Sequence, residues 1–136
     1  MIVRDIKFKD LDSVYDLLNQ LTFVETSLVD KSKAWKEFNC EGLVVEYKNK
    51  IIGYGSLVIE NKIRGYQSGQ IEDVVVDENW RGYGVGEKLI KALVERAWEK
   101  KCYRLSLFCK EELVPFYEKN NFIVNNVVMK QWNDKT

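Results

Sequence analysis

The stretch Ile71-Glu72-Asp73-Val74-Val75-Val76-Asp77-Glu78-Asn79-Trp80-Arg81-Gly82-Tyr83-Gly84-Val85-Gly86, continued by Glu87-Lys88-Leu89-Ile90-Lys91-Ala92-Leu93-Val94, decides how this chain is read. Val74-Val75-Val76 is a short apolar run bounded by polar residues, which predicts a buried strand over 71–76. From Gly86 onward, Leu89, Ile90, Leu93, Val94, Ala97 and Trp98 fall at the three-four spacing of a helix face. Between strand and helix lies Arg81-Gly82-Tyr83-Gly84-Val85-Gly86. Glycines there let the backbone approach a ligand closely and take up conformations that a Cβ resists. The free N–H groups of the helix's first turn, backed by the positive end of its dipole, then suit a phosphate. There is no Gly-Lys-Ser/Thr, which excludes a nucleoside-triphosphate loop, and Gly82-x-Gly84-x-Gly86 has the wrong spacing for a dinucleotide fingerprint.

Arg81-x-x-Gly84-x-Gly86 after an apolar strand resembles the acyl-CoA pyrophosphate loop of the GNAT superfamily of N-acetyltransferases. Phe116-Tyr117-Glu118-Lys119-Asn120-Asn121-Phe122 resembles that superfamily's late Y-E-K-x-G-F segment. Within it, Ile71 to Val76, Cys102-Tyr103-Arg104 and Val114 to Lys119 are similar to the glucosamine 6-phosphate N-acetyltransferases, with a fainter match at Leu21-Thr22-x-Val24-x-Thr26. The resemblance implies an α/β (α+β) fold: a central mixed, mostly antiparallel sheet of six to seven strands, flanked by about four helices. A splayed strand pair in that sheet admits acyl-CoA.

Composition bounds the alternatives. A chain of 136 residues suits a single domain, 1–136, with one core. Charges balance at 21 of each sign, so nothing favours nucleic acid or an anionic membrane as a partner. No apolar run approaches membrane-spanning length, and the charged start Met1-Ile2-Val3-Arg4-Asp5 does not read as a signal peptide; a cytoplasmic protein is expected. Cys40, Cys102 and Cys109 show no C-x-x-C spacing and there is no histidine, so neither a metal site nor a His-based triad is expected. The thiols read as reduced core residues. Chemistry must then rest on carboxylates, tyrosine and backbone.

Along the rest of the chain, Ile2 to Phe8 alternates as a first strand near an edge. Asp10 is placed to cap a helix with the apolar face Leu11, Val14, Tyr15, Leu18 and Leu21. Thr22 to Ser32 reads as short, polar and irregular, and Lys33 to Phe38 as a second helix. Leu43–Tyr47 and Ile51–Ile59 read as strands joined by a hairpin at Lys48-Asn49-Lys50, with Glu60 to Gly69 a loop. Tyr103 to Cys109 reads as a fifth strand. Glu111 and Glu112 open a helix in which Pro115 sits in the first turn, and Phe122 to Trp132 supplies one or two closing strands.

The resemblance also assigns roles. Acetyl-CoA is the co-substrate, its pyrophosphate on Arg81, Gly82, Tyr83, Gly84, Val85 and Gly86 and its pantetheine arm on the backbone of Val74, Val75 and Val76. Tyr117 is the acid for the leaving thiolate, and Glu72 or Asp73 orients the acceptor amine and draws off its proton. Thr22, Glu72, Asp73, Tyr103 and Arg104 contact the acceptor, and the assembly is a homodimer sharing C-terminal residues. Three positions depart from the resembled pattern: Leu107-Phe108-Cys109 lacks the family's acidic middle residue, Trp132 stands where an arginine is found, and Asn121 replaces a glycine. Lys62, Arg64 and Lys130 could supply the missing cation. With Phe108 in place of a carboxylate, a weakly basic amine suits the site better than a lysine-like one. The acceptor is therefore glucosamine 6-phosphate or another amine (a polyamine, an amino-acid derivative or a peptide). A non-catalytic acyl-CoA sensor is the reading from a different class.

Overall fold

The structure, a computed structural model, describes residues 1–133. It begins with a strand, β1 (Ile2–Asp5), that pairs antiparallel with β2 (Glu41–Tyr47). β2 turns into β3 (Lys50–Asn61) through Lys48 and Asn49, whose φ values of 49° and 64° give the twisted two-residue turn a hairpin favours. A second hairpin leads to β4 (Gln67–Val76), its turn closed by the Lys62 N–H donating to the Tyr66 carbonyl at 2.8 Å. The expected loop 60–69 is thus strand at both ends, and only 62–66 form the turn. Gln67, Ser68 and Gly69 have little strand propensity, but Asn61, Glu60 and Ile59 lie opposite them and supply the pairing. Helix α3 (Val85–Glu99) then crosses over to β5 (Cys102–Leu107), which runs parallel to β4. The order is β1-β2-β3-β4-β5, with β1 at an edge as its short alternating sequence predicts.

Alternation along the strands supplies both faces of the sheet with apolar side chains. Leu43, Val45, Ile52, Leu57 and Ile71 meet Val85, Leu89, Ile90, Leu93 and Ala97 of α3. On the opposite face, Val44, Ile51, Tyr54 and Val75 meet Val14 and Leu17 of α1 (Leu11–Leu18). That helix stops at Leu18, so Leu21 falls beyond it and is exposed. Asp10 is buried but does not cap α1 with its side chain. Its carboxylate instead accepts from the Lys7 N–H at 2.8 Å and from both terminal nitrogens of Arg4 at 2.8 and 3.0 Å, and Arg4 also reaches Glu46 at 2.7 Å. Helix α2 (Lys31–Glu37) starts two residues earlier than expected, because Asp30 caps it by accepting from the Lys33 N–H.

The sheet has five strands among the described residues, not six or seven, and the difference lies after α4 (Val114–Lys119). Phe122 packs its ring 6.0 Å from that of Tyr117. Beyond it, the expected closing strands over 122–132 do not form, and Ile123, Val124, Val127, Met129 and Trp132 are all exposed. These residue types favour strands, but a ladder needs a neighbour to accept its backbone groups, and among the described residues no strand lies alongside.

Candidate active site

Strand β4 carries the irregularity on which the site is built. Its register with β3 pairs Tyr54 with Val75 but Ser56 with Glu72, so Asp73 and Val74 together face the single residue Gly55. This is a β-bulge, and Asp73 occupies it with φ of 56°, in the left-handed region that aspartate tolerates better than most residues. Gly55 makes room opposite: a Cβ there would lie 2.9 Å from Leu93 Cδ1, which would have to shift. The bulge interrupts the alternation. Glu72 and Asp73 are both exposed, while Val74 packs on the α3 side and Val75 on the α1 side. Gln70 donates from its amide to the Glu72 carboxylate at 2.9 Å. Cys40, just before β2, is a thiol pushed above its ordinary pKa by burial, then by the charges of Glu72 and Asp73. Tyr54 is pushed up to about 12, first by burial, with Asp73 adding to it. One neighbourhood therefore gathers Glu72, Asp73, Cys40 and Tyr54.

The other edge of β4 opens. Its pairing with β5 stops at Ile71 opposite Leu107, where β5 ends, so Glu72 to Val76 have no partner on that side. Backbone donors and acceptors left facing a gap at the carboxyl ends of two parallel strands are a place for a ligand that pairs as a strand does. At the end of the gap stands the glycine loop. Gly82 and Gly84 have φ of 85° and 79°, and a Cβ on either would meet nothing within 4 Å, so the loop is open to the outside. Gly84 is the N-cap of α3 and offers no capping side chain, leaving the first-turn N–H groups available. Gly86 differs from the other two. A Cβ there would come 3.3 Å from the Phe116 ring, so this glycine lets α4 close on α3.

Packing of Phe116 against Gly86 places Tyr117 behind the gap. Its side chain is buried between Phe116 and Phe122, with ring centroids at 5.0 and 6.0 Å. Burial raises its pKa above the ordinary tyrosine value, and the neighbouring Cys109 adds to the effect. The hydroxyl is therefore held as a proton donor at neutral pH. Asn121, in the left-handed conformation at φ of 71°, ends α4 as the usual glycine would. Phe108 follows the last residue of β5 and is exposed at the mouth of the gap.

The remaining expected contacts are not brought together within one chain. Tyr103 and Arg104 lie near the start of β5 beside Ser68, about 16 Å of strand from the bulge. There Tyr103 stacks edge-on with Tyr66 at 4.7 Å and Arg104 sits over its ring. Thr22 is exposed just past α1. The cleft lined by Trp35, Phe38, Cys40 and Arg96 lies beside the bulge rather than at the gap, and Arg96 is already engaged by Asp5 at 2.7 Å and Glu41 at 2.8 Å. Among the described residues no helix is long and apolar enough to cross a membrane, and no cluster of His, Cys, Asp or Glu is arranged to hold a metal. Cys40 and Tyr54 escape sequence reading because their nearness to the acidic pair depends on strand pairing, which local pattern does not encode.

Known proteins share this fold. A probable glucosamine 6-phosphate N-acetyltransferase of Drosophila melanogaster is 35% identical over 90% of the chain, which spans 61% of that protein's length. The glucosamine 6-phosphate N-acetyltransferase of Trypanosoma brucei brucei is 36% identical over 88% of the chain and 87% of its own length. The crystal structure of glucosamine-6-phosphate N-acetyltransferase from Arabidopsis thaliana superposes with a TM-score of 0.90 at 30% identity, covering 98% of both chains. Residues 11–122 match the model of the acetyltransferase (GNAT) family, and the chain belongs to that family of N-acetyltransferases.

Proposed function

We propose that the chain transfers an acetyl group from acetyl-CoA to the primary amine of a small molecule, with glucosamine 6-phosphate as the leading acceptor. The observation that carries this reading is the bulge in β4, which sets Glu72 and Asp73 beside the unpaired edge that begins at the same residue. Acetyl-CoA supplies an activated acetyl thioester. Arg81 and the backbone from Gly82 to Gly86 would hold its pyrophosphate, and the free edge of Val74 to Val76 would pair with its pantetheine amides. A backbone N–H of Val74 or Val75 donates to the acetyl oxygen as negative charge builds there. Glu72 or Asp73 orients the acceptor and draws off the ammonium proton through water, so that a neutral amine forms the C–N bond. As the C–S bond breaks, Tyr117 gives its proton to the sulfur. Holding both reactants in contact supplies much of the acceleration.

The relatives' names support the phosphosugar. Phe108 favours a second reading in which the acceptor is a different, weakly basic amine, because a benzyl group at the mouth of the gap accepts no proton. A homodimer accounts for two features at once. The exposed apolar segment 123–132 needs a cover, and Tyr103 and Arg104 could contact the acceptor only from a second copy.

Free-thiol release from acetyl-CoA, measured with glucosamine 6-phosphate, glucosamine, spermidine and a lysine peptide, tests the reading. Saturable release with the phosphosugar, much reduced in Tyr117→Phe, is expected. Release with another amine only would move the substrate, and CoA binding without release from any of them would indicate a sensor. Light scattering at micromolar concentration, expected to give twice the chain mass, checks the dimer.

A further inference from the structure

Ser56 takes no part in the reaction as written, yet it is buried on β3 next to Gly55, the residue that faces the bulge. The Ser56 hydroxyl donates to the Glu72 carbonyl at 3.1 Å, at the last paired residue before the bulge. A serine hydroxyl has one proton to give, and Ser56 gives it to that carbonyl.

That carbonyl belongs to the peptide joining Glu72 to Asp73. Its orientation fixes where the Asp73 side chain and the next N–H point. Asp73 is left-handed, a conformation that holds only where its surroundings impose it. We propose that Ser56 is a positioning residue which locks the Glu72–Asp73 peptide, and through it aims both the acidic pair and the oxyanion donor of Val74 or Val75. The inference rests on the acetyl-transfer reading for its catalytic consequence, but the lock itself is a property of the resting protein.

Two measurements on Ser56→Ala and Ser56→Thr separate the two claims. The first is amide hydrogen exchange of residues 72–75 in the free protein, with α3 as internal reference. Ser56→Ala is expected to exchange about ten-fold faster at the bulge with α3 unchanged, while Ser56→Thr, which keeps the hydroxyl, stays close to wild type. Bulge exchange unaltered in Ser56→Ala overturns the lock, whatever the protein acetylates. The second is steady-state kinetics on the same proteins. Loss of the lock is expected to lower kcat about ten-fold while leaving KM for acetyl-CoA within two-fold, with activity restored in Ser56→Thr. A merely structural role would lower the melting temperature and leave kcat per folded molecule alone, and that result overturns the catalytic half of the proposal. Wild type that turns over no amine in the panel overturns the functional reading instead, and the exchange data still decide the lock.

Discussion

Strand β4 has two edges, and the chain treats them in opposite ways. Toward β3 it is paired from Gln67 to Val76, with only Asp73 and Val74 displaced. Toward β5 it is paired from Gln67 only as far as Ile71. The same five residues, Glu72 to Val76, are therefore held on one side and free on the other. The held side gives them a fixed geometry and the free side gives them something to do. A strand open on both edges would be too mobile to aim a donor, and one closed on both would have no donor to offer. The predictions below break one side of this arrangement at a time.

The largest effect is expected on the free side. Tyr117→Phe removes the proton that the departing sulfur needs and keeps the ring packed between Phe116 and Phe122. The rate constant kcat should fall by about 10²- to 10³-fold, with KM for acetyl-CoA and the circular dichroism spectrum little changed. The closed end of the sheet should respond in stability. Asp10→Ala takes away the carboxylate that receives Arg4 and the Lys7 N–H, leaving the half-buried guanidinium with Glu46 and the Asp5 carbonyl. A loss of about 2–3 kcal/mol by urea denaturation is expected, smaller than for a fully buried pair because Arg4 keeps some contact with water. Its pH dependence has a definite sign. Hydrogen bonding to Arg4 holds the Asp10 carboxyl below its ordinary value. The stability it contributes is therefore present above the unfolded-state pKa of about 4 and lost as pH falls through the lower folded value. Asp10→Asn should flatten that part of the acid limb.

A smaller effect is expected where the free edge meets the phosphate loop. Gly84→Ala meets no steric obstacle but must hold φ near 79°, which costs about 1–2 kcal/mol. KM for acetyl-CoA should rise several-fold while kcat holds. Gly86→Ala makes the useful contrast, since its added methyl presses on Phe116 in an ordinary helical backbone and should disturb Tyr117 rather than the loop.

What could be read from the sequence follows from how local each feature is. The loop from Arg81 to Gly86 and the periodicity of α3 are contained within a few residues, and both were legible. So was the hairpin at Lys48-Asn49, because its two positive-φ positions carry a lysine and an asparagine between apolar runs. The strand at Gln67 to Gly69 was not, since its composition is that of a loop and only its partners make it a strand. Phe122 to Trp132 differs in the reverse sense, with strand-forming residues and no partner strand among the described residues. At the candidate site, the adjacent carboxylates of Glu72 and Asp73 suggest a bulge only through resemblance to a family. The Ser56 hydroxyl is invisible as a contact without the register that pairs it with Glu72.

The smallest effect tests the held side most directly. Asp73 holds a left-handed conformation that glycine would take up without strain, so Asp73→Gly should leave stability unchanged or raise it by about 0.5–1 kcal/mol. Asp73→Asn, which also tolerates that conformation, should be close to neutral in stability. Neither variant keeps a carboxylate, so a comparable loss of kcat in both would assign the loss to the missing carboxylate. If Asn retained more activity than Gly, the side chain would be needed to stiffen the bulge as well as to meet the amine. If Asp73→Gly were clearly destabilised, the bulge would be held by contacts of the Asp73 side chain itself and not imposed by β3. The strand's paired edge would then no longer be the part that aims its free one.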